Sequence, residues 1–114
     1  MKLIEAIARY EGFFVPGSRP AHNNNPGDIE FGPFAKKNGA TGGDPRFAIF
    51  PTEEKGWAAL RKLLNSKSYL GLTVNQAINK YAPSTENNVH AYIENICAWT
   101  GLMPDTVLTS ENIG

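Results

Sequence analysis

The chain has 114 residues, eleven basic and eleven acidic side chains and an apolar share of 41%, so its formal net charge is zero. Balanced charge offers no long-range attraction to nucleic acid, whose phosphates select a basic face, and suits a neutral polysaccharide better. The single cysteine, Cys97, excludes an intrachain disulfide and a cysteine-rich zinc site, and no apolar run approaches the ~20 residues of a membrane span.

The length fits one domain over residues 1–114, large enough to bury a core without metals or disulfides. Met1-Lys2 carries one charge, and Glu5 and Arg9 interrupt the apolar stretch that follows, so no signal peptide is read there.

Helical spacing predicts a first helix over Lys2–Glu11. Leu3, Ile4, Ile7 and Ala8 share one face, Glu5 and Arg9 form an i,i+4 pair on the other, and Gly12 supplies the stop. From Phe13 to Pro51 glycine, proline and asparagine exclude a mainly helical segment. Two alternating runs there, Asp28–Phe31 and Arg46–Phe50, are predicted to pair as a small sheet around a loop with Gly39, Gly42 and Gly43.

Thr52, followed by Glu53 and Glu54, begins the next predicted helix, buried through Trp57, Leu60, Leu63 and Leu64. Thr73 and Gln76 form a capping box that opens a helix with Val74, Ala77, Ile78 and Tyr81 inward, ended by Pro83. A longer helix is expected from Glu86 to Thr100, buried through Val89, Tyr92, Ile93 and Ile96 and closed by Gly101. Pro104–Leu108 is read as one further turn, and Thr109–Gly114 as a frayed end without a packing pattern. The fold class is α+β, mainly α.

Glu11 is the position that points to chemistry. One turn beyond Ile7, it falls on the stripe that faces the core, where lost hydration and the helix's C-terminal carbonyls both disfavour the charged carboxylate. Phe13 and Phe14 add apolar walls. Each influence raises the pKa, which is what a glycosidase requires of the acid that protonates the glycosidic oxygen. The competing reading is a frayed helix end with Glu11 in water.

The run Ala6-Ile7-Ala8-Arg9-Tyr10-Glu11-Gly12, with Asn24-Asn25-Pro26-Gly27-Asp28-Ile29 after it, resembles a group of small phage and bacterial lysozyme-like proteins related to lytic transglycosylases. Phe47-Ala48-Ile49-Phe50-Pro51 with Gly56-Trp57, Tyr81-Ala82-Pro83 with Glu86-Asn87-Asn88, Tyr92-Ile93 and Thr100-Gly101 continue the likeness in order, from about Ile4 to Leu108. The resemblance implies a lysozyme-like fold, with a helical body and a small β lobe flanking a glycan groove. It implies Glu11 as general acid/base, Asn24 and Asn25 bordering the groove, and Tyr81, Glu86 and Asn87 on the other wall.

Read from the residues alone, Asn24 and Asn25 suit either the N-acetyl and hydroxyl groups of a sugar or a plain surface turn. Tyr81 suits core packing as well, and Glu86 suits the start of a helix. Phe31, Phe34, Phe47 and Phe50 suit sugar stacking or core. His22 and His90 lack ligand spacing, so neither metal nor cofactor is expected.

The activity so implied is cleavage of the MurNAc–GlcNAc bond of peptidoglycan glycan strands. A hydrolase requires a second carboxylate, with Asp28, Glu30, Asp44 and Glu86 as candidates, whereas a lytic transglycosylase works with Glu11 alone and is favoured. The alternative is a non-catalytic peptidoglycan-binding or virion structural domain. A helix-turn-helix reading of Arg61–Ile78 leaves the loop-rich half unexplained and conflicts with the zero net charge. The protein is expected to act as a monomer at the cell wall or periplasm, without nucleic acid, delivered by a phage or virion or exported by another route.

Overall fold

A computed structural model describes residues 1–114 and places helix α1 (Leu3–Glu11) through the middle of the molecule. Ala6, Ile7 and Ala8 have no exposed surface, because the small alanines let neighbouring elements close around the helix on more than one side. Gly12 adopts φ 88°, the left-handed conformation that ends a helix, and its N–H returns to the carbonyls of Ala8 and Arg9. The expected Glu5–Arg9 pair does not form. Glu5 instead accepts from the Lys2 backbone N–H at 3.2 Å, and the Arg9 guanidinium lies 4.2 Å from the centre of the Trp99 ring.

The segment expected to be irregular holds two short helices, α2 (Arg19–His22) and α3 (Pro33–Lys37). Each carries a proline in its first turn, where the missing N–H costs nothing, and Ser18 caps α2 through the Ala21 N–H. The sheet is smaller than predicted. Strands β1 (Gly42–Gly43) and β2 (Ala48–Ile49) pair antiparallel, Gly42 opposite Ile49. The run at Asp28–Phe31 joins through one bridge, Glu30 to Phe47, flanked by the bonds Phe31 N–H to Arg46 and Ala48 N–H to Ile29.

Helix α4 (Glu53–Leu64) starts on Thr52, whose hydroxyl accepts from the Lys55 N–H, and α5 (Val74–Tyr81) opens on the Thr73–Gln76 box with both reciprocal bonds present. Helix α6 (Val89–Thr100) begins three residues later than predicted, because the Asn88 side chain caps it at the Ala91 N–H. Glu86 and Asn87 are thereby left in the connecting loop.

Pro104–Leu108 forms a turn and a bridge between Val107 and Thr73, not a helical turn. The end of the chain is also ordered differently from expectation. Ser110–Ile113 forms α7, capped by Thr109, and Ile113 is completely buried.

The main core gathers Leu3, Ile4 and Ile7 of α1 with Leu60, Leu64, Ile78, Tyr92, Ile96, Leu108 and Ile113. Each fully buried aliphatic side chain there contributes about 1.5–3 kcal/mol of burial energy. A smaller cluster of Ala35, Ala40, Ala48, Phe50 and Ala59 supports the sheet, and Ile29 packs against both. Mainly helical with a two-stranded sheet, the fold presents a groove where the C-terminal ends of α1 and α5 meet the 27–30 segment and the 45–47 turn. No helix is long and apolar enough to cross a membrane.

Candidate active site

The groove has a volume of about 660 Å³ and takes Glu11 from α1, Arg19 from α2, Gly27 to Glu30, Arg46 and Phe47 on one side. Tyr81 from α5 and Glu86 and Asn87 from the α5–α6 loop line the other. Of the residues singled out in the sequence, Glu11, Tyr81, Glu86 and Asn87 therefore meet in one cleft.

Glu11 ends α1 with its side chain turned partly into the protein. Tyr92 of α6 donates a hydrogen bond of 2.8 Å to Glu11 Oε2. Burial pushes the Glu11 carboxyl above its ordinary value; the Tyr92 bond opposes this, the negative charge of Asp28 adds to it, and Arg19 offsets part. Tyr92 is itself buried, its ring stacked on Tyr10 at 3.9 Å between centres, so the donor has little freedom to leave. Burial and the nearby Glu11 charge push the Tyr92 hydroxyl up as well, which keeps it a proton donor in this bond.

Tyr81 donates its hydroxyl hydrogen to the Gly27 carbonyl, tying α5 to the opposite wall. A Cβ at residue 27 would stand 2.5 Å from that hydroxyl oxygen and 2.8 Å from Leu60 Cδ1, so only glycine admits the contact. Asp28 follows with φ 49°, a left-handed conformation that aspartate tolerates better than most residues. Arg19 holds it with both a Nε and an Nη2 contact while its guanidinium lies 3.6 Å from the centre of the Phe47 ring.

Arg46 joins the two walls directly. It reaches Glu30 at 3.2 Å beside it and Glu86 at 3.0 Å across the cleft. Asn87 Nδ2 donates to the Pro83 carbonyl and so steadies the loop that carries Glu86.

Asn24 and Asn25 do not line this groove. Asn25 is fully buried; its Nδ2 donates to the carbonyls of Ile29 and Ala48 at 2.9 Å, and its Oδ1 accepts from the Ile29 N–H at 3.0 Å. Fully buried and committed to three backbone partners, this amide is out of reach of a sugar. Asn24 has φ 52°, donates to the Phe50 carbonyl at 3.1 Å, and has its own carbonyl where a Cβ on Gly56 would come within 1.9 Å. Both asparagines build the turn that presents Gly27 and Asp28, and the groove is formed by the residues after them.

Tyr92, which bonds Glu11 from behind the groove, and the groove cations Arg19, Arg46 and Lys80 were not singled out as site residues in the sequence. Tyr92 had been placed in the buried stripe of its helix, where its hydroxyl, needing a partner when buried, was the available signal. Arg19, Arg46 and Lys80 left none, since surface cations are common and only the fold brings these to the cleft. Of the phenylalanines, Phe47 lines the groove and Phe50 is core. No group of three or more histidine, cysteine, aspartate or glutamate side chains is arranged to hold a metal. No protein-family model matches the sequence, and a comparison with curated proteins finds no match.

Proposed function

We propose that this protein is a peptidoglycan-cleaving glycosidase with a lysozyme-like arrangement, and that Glu11 is its general acid/base. The observation that carries the reading is a single carboxyl raised by burial, fixed by Tyr92 and opening onto a groove of about 660 Å³. A protonated Glu11 donates to the glycosidic oxygen as the bond to the anomeric carbon breaks. Glu11, now charged, then takes the proton of the muramic acid 6-hydroxyl as that oxygen closes on the anomeric carbon and forms an anhydro ring.

The other carboxylates favour this one-acid, lytic transglycosylase route over hydrolysis. Asp28 is engaged by Arg19, and Glu30 and Glu86 by Arg46, while Asp44 lies outside the groove. A hydrolase requires a second carboxylate to activate water or attack the sugar, and each candidate in the groove is bound to a guanidinium. The site of action is the cell wall.

Digestion of purified sacculi by wild type and Glu11→Gln, with soluble products weighed by mass spectrometry, tests this. Anhydro-muropeptides from wild type and none from the variant are expected. Products heavier by one water would identify a hydrolase. Binding without release of any product from several wall types would leave a non-catalytic glycan-binding domain in its place.

A further inference from the structure

Three cations line the groove, and two of them are spoken for. Arg19 is paired with Asp28, and Arg46 with Glu30 and Glu86. Lys80, in the last turn of α5, has no carboxylate partner. Its Nζ is nevertheless held in place: it donates to the Ser68 carbonyl at 3.0 Å and lies 5.0 Å from the centre of the Tyr69 ring. Tyr69 is buried and meets Tyr81 edge to face at 6.3 Å, so this anchor is continuous with the wall that carries Tyr81. An ammonium has three donors, and the Ser68 carbonyl takes one. Lys80 therefore presents an oriented positive charge to the groove with donors to spare.

We propose that Lys80 forms a carboxylate subsite of the groove, which accepts an acid group borne by the muramic acid residues of the glycan. This rests on the glycan reading above and sharpens it. A strand of muramic acid carries either a free lactyl carboxylate or the carboxylates of its stem peptide, whereas chitin carries no such group. Lys80 thus selects a peptidoglycan strand over a neutral polymer of similar backbone. The contact is an exposed ion pair, and its contribution falls as salt screens it.

The test is calorimetric binding of three tetrasaccharides in the Glu11→Gln background, where no turnover consumes the ligand. The probes are chitotetraose, a GlcNAc–MurNAc tetrasaccharide with free lactyl groups, and the same glycan bearing a stem dipeptide with a free carboxylate. Adding Lys80→Gln is expected to weaken one or both acidic glycans about fivefold at low salt, with a smaller effect on chitotetraose, and Lys80→Arg to restore binding. The acidic glycan that suffers the loss identifies the carboxylate. An equal change for all three glycans, or none for the acidic ones, overturns the subsite and leaves the glycan groove intact. Failure of the parent protein to bind any of the three removes the glycan reading and the subsite with it.

Discussion

Tyr92 and Glu11 lie 81 positions apart in the chain and meet through a 2.8 Å hydrogen bond between the phenol and the carboxylate. The bond stabilises the charged carboxylate, while burial favours the neutral acid, and burial is the larger influence. Orientation and proton affinity of the proposed acid are thus set by two elements that are remote in sequence.

Replacing Glu11 by Gln keeps the size and an acceptor for Tyr92 but removes the proton that is transferred. Release of soluble fragments from sacculi is expected to fall at least about 100-fold, the usual scale for loss of a general acid. A circular-dichroism spectrum matching wild type would show that the loss is chemical.

The same substitution has a pH-dependent effect on stability. The folded protein holds the Glu11 proton more tightly than the unfolded chain does. The penalty for a buried charge is therefore absent below the ordinary carboxylate range, grows as pH rises through the raised folded value, and is complete above it. Glu11→Gln should raise Tm at neutral pH, and by less near about pH 4, where the carboxyl is protonated in both states. Equal Tm shifts at both pH values would assign the gain to something other than charge burial.

Tyr92→Phe keeps the ring stack on Tyr10 and deletes only the donor. Without that bond the Glu11 carboxyl moves further up, so the limb of the pH–rate profile that falls with Glu11 ionisation should shift to higher pH. The rate at the optimum is expected to drop roughly tenfold as the acid loses its orientation. A lower rate with an unmoved limb would count against an electrostatic role for Tyr92.

Asn25→Ala should act on folding. It removes one donor from each of the Ile29 and Ala48 carbonyls, the first of which keeps the Ala48 N–H, and the acceptor of the Ile29 N–H, at a cost of about 1–3 kcal/mol. Urea titration should report the loss, and a variant with wild-type stability would return Asn25 to consideration as a ligand-binding side chain.

Ile113 tests the ordered end of the chain. Its side chain is fully buried against the core, so Ile113→Ala should destabilise by roughly 2–4 kcal/mol in a thermal or denaturant melt. A frayed terminus would show almost no change.

Local rules reach as far as local interactions do. The Thr73–Gln76 box, the Thr52 cap and the Gly12 stop are each completed within four residues, and all three occur where their sequence patterns place them. The inward position of Glu11 was equally legible, because 3.6-residue periodicity alone sets it on the face of Ile4 and Ile7. The start of α6 was not, since Glu86 and Asn88 are both acceptable at a helix start and the Asn88 bond to Ala91 decided between them. Asn25 also escaped the sequence. Its amide suits a sugar or a backbone equally well, and the choice depended on Ile29 and Ala48 converging on it.

By itself, then, the sequence determined the four longer helices α1, α4, α5 and α6, where most of them begin and stop, and that one carboxylate would face inward, while the short helices α2, α3 and α7 escaped it. Tertiary structure decided which groups surround that carboxylate: Tyr92 as its donor, Asp28 under Arg19, and Arg46 spanning to Glu86. The physical reason is that helix periodicity and capping are energies of near neighbours. Burial, ion pairing and the field at Glu11 depend on residues that only the packing of α1, α2, α5 and α6 with the 27–30 segment brings within a few ångströms of one another.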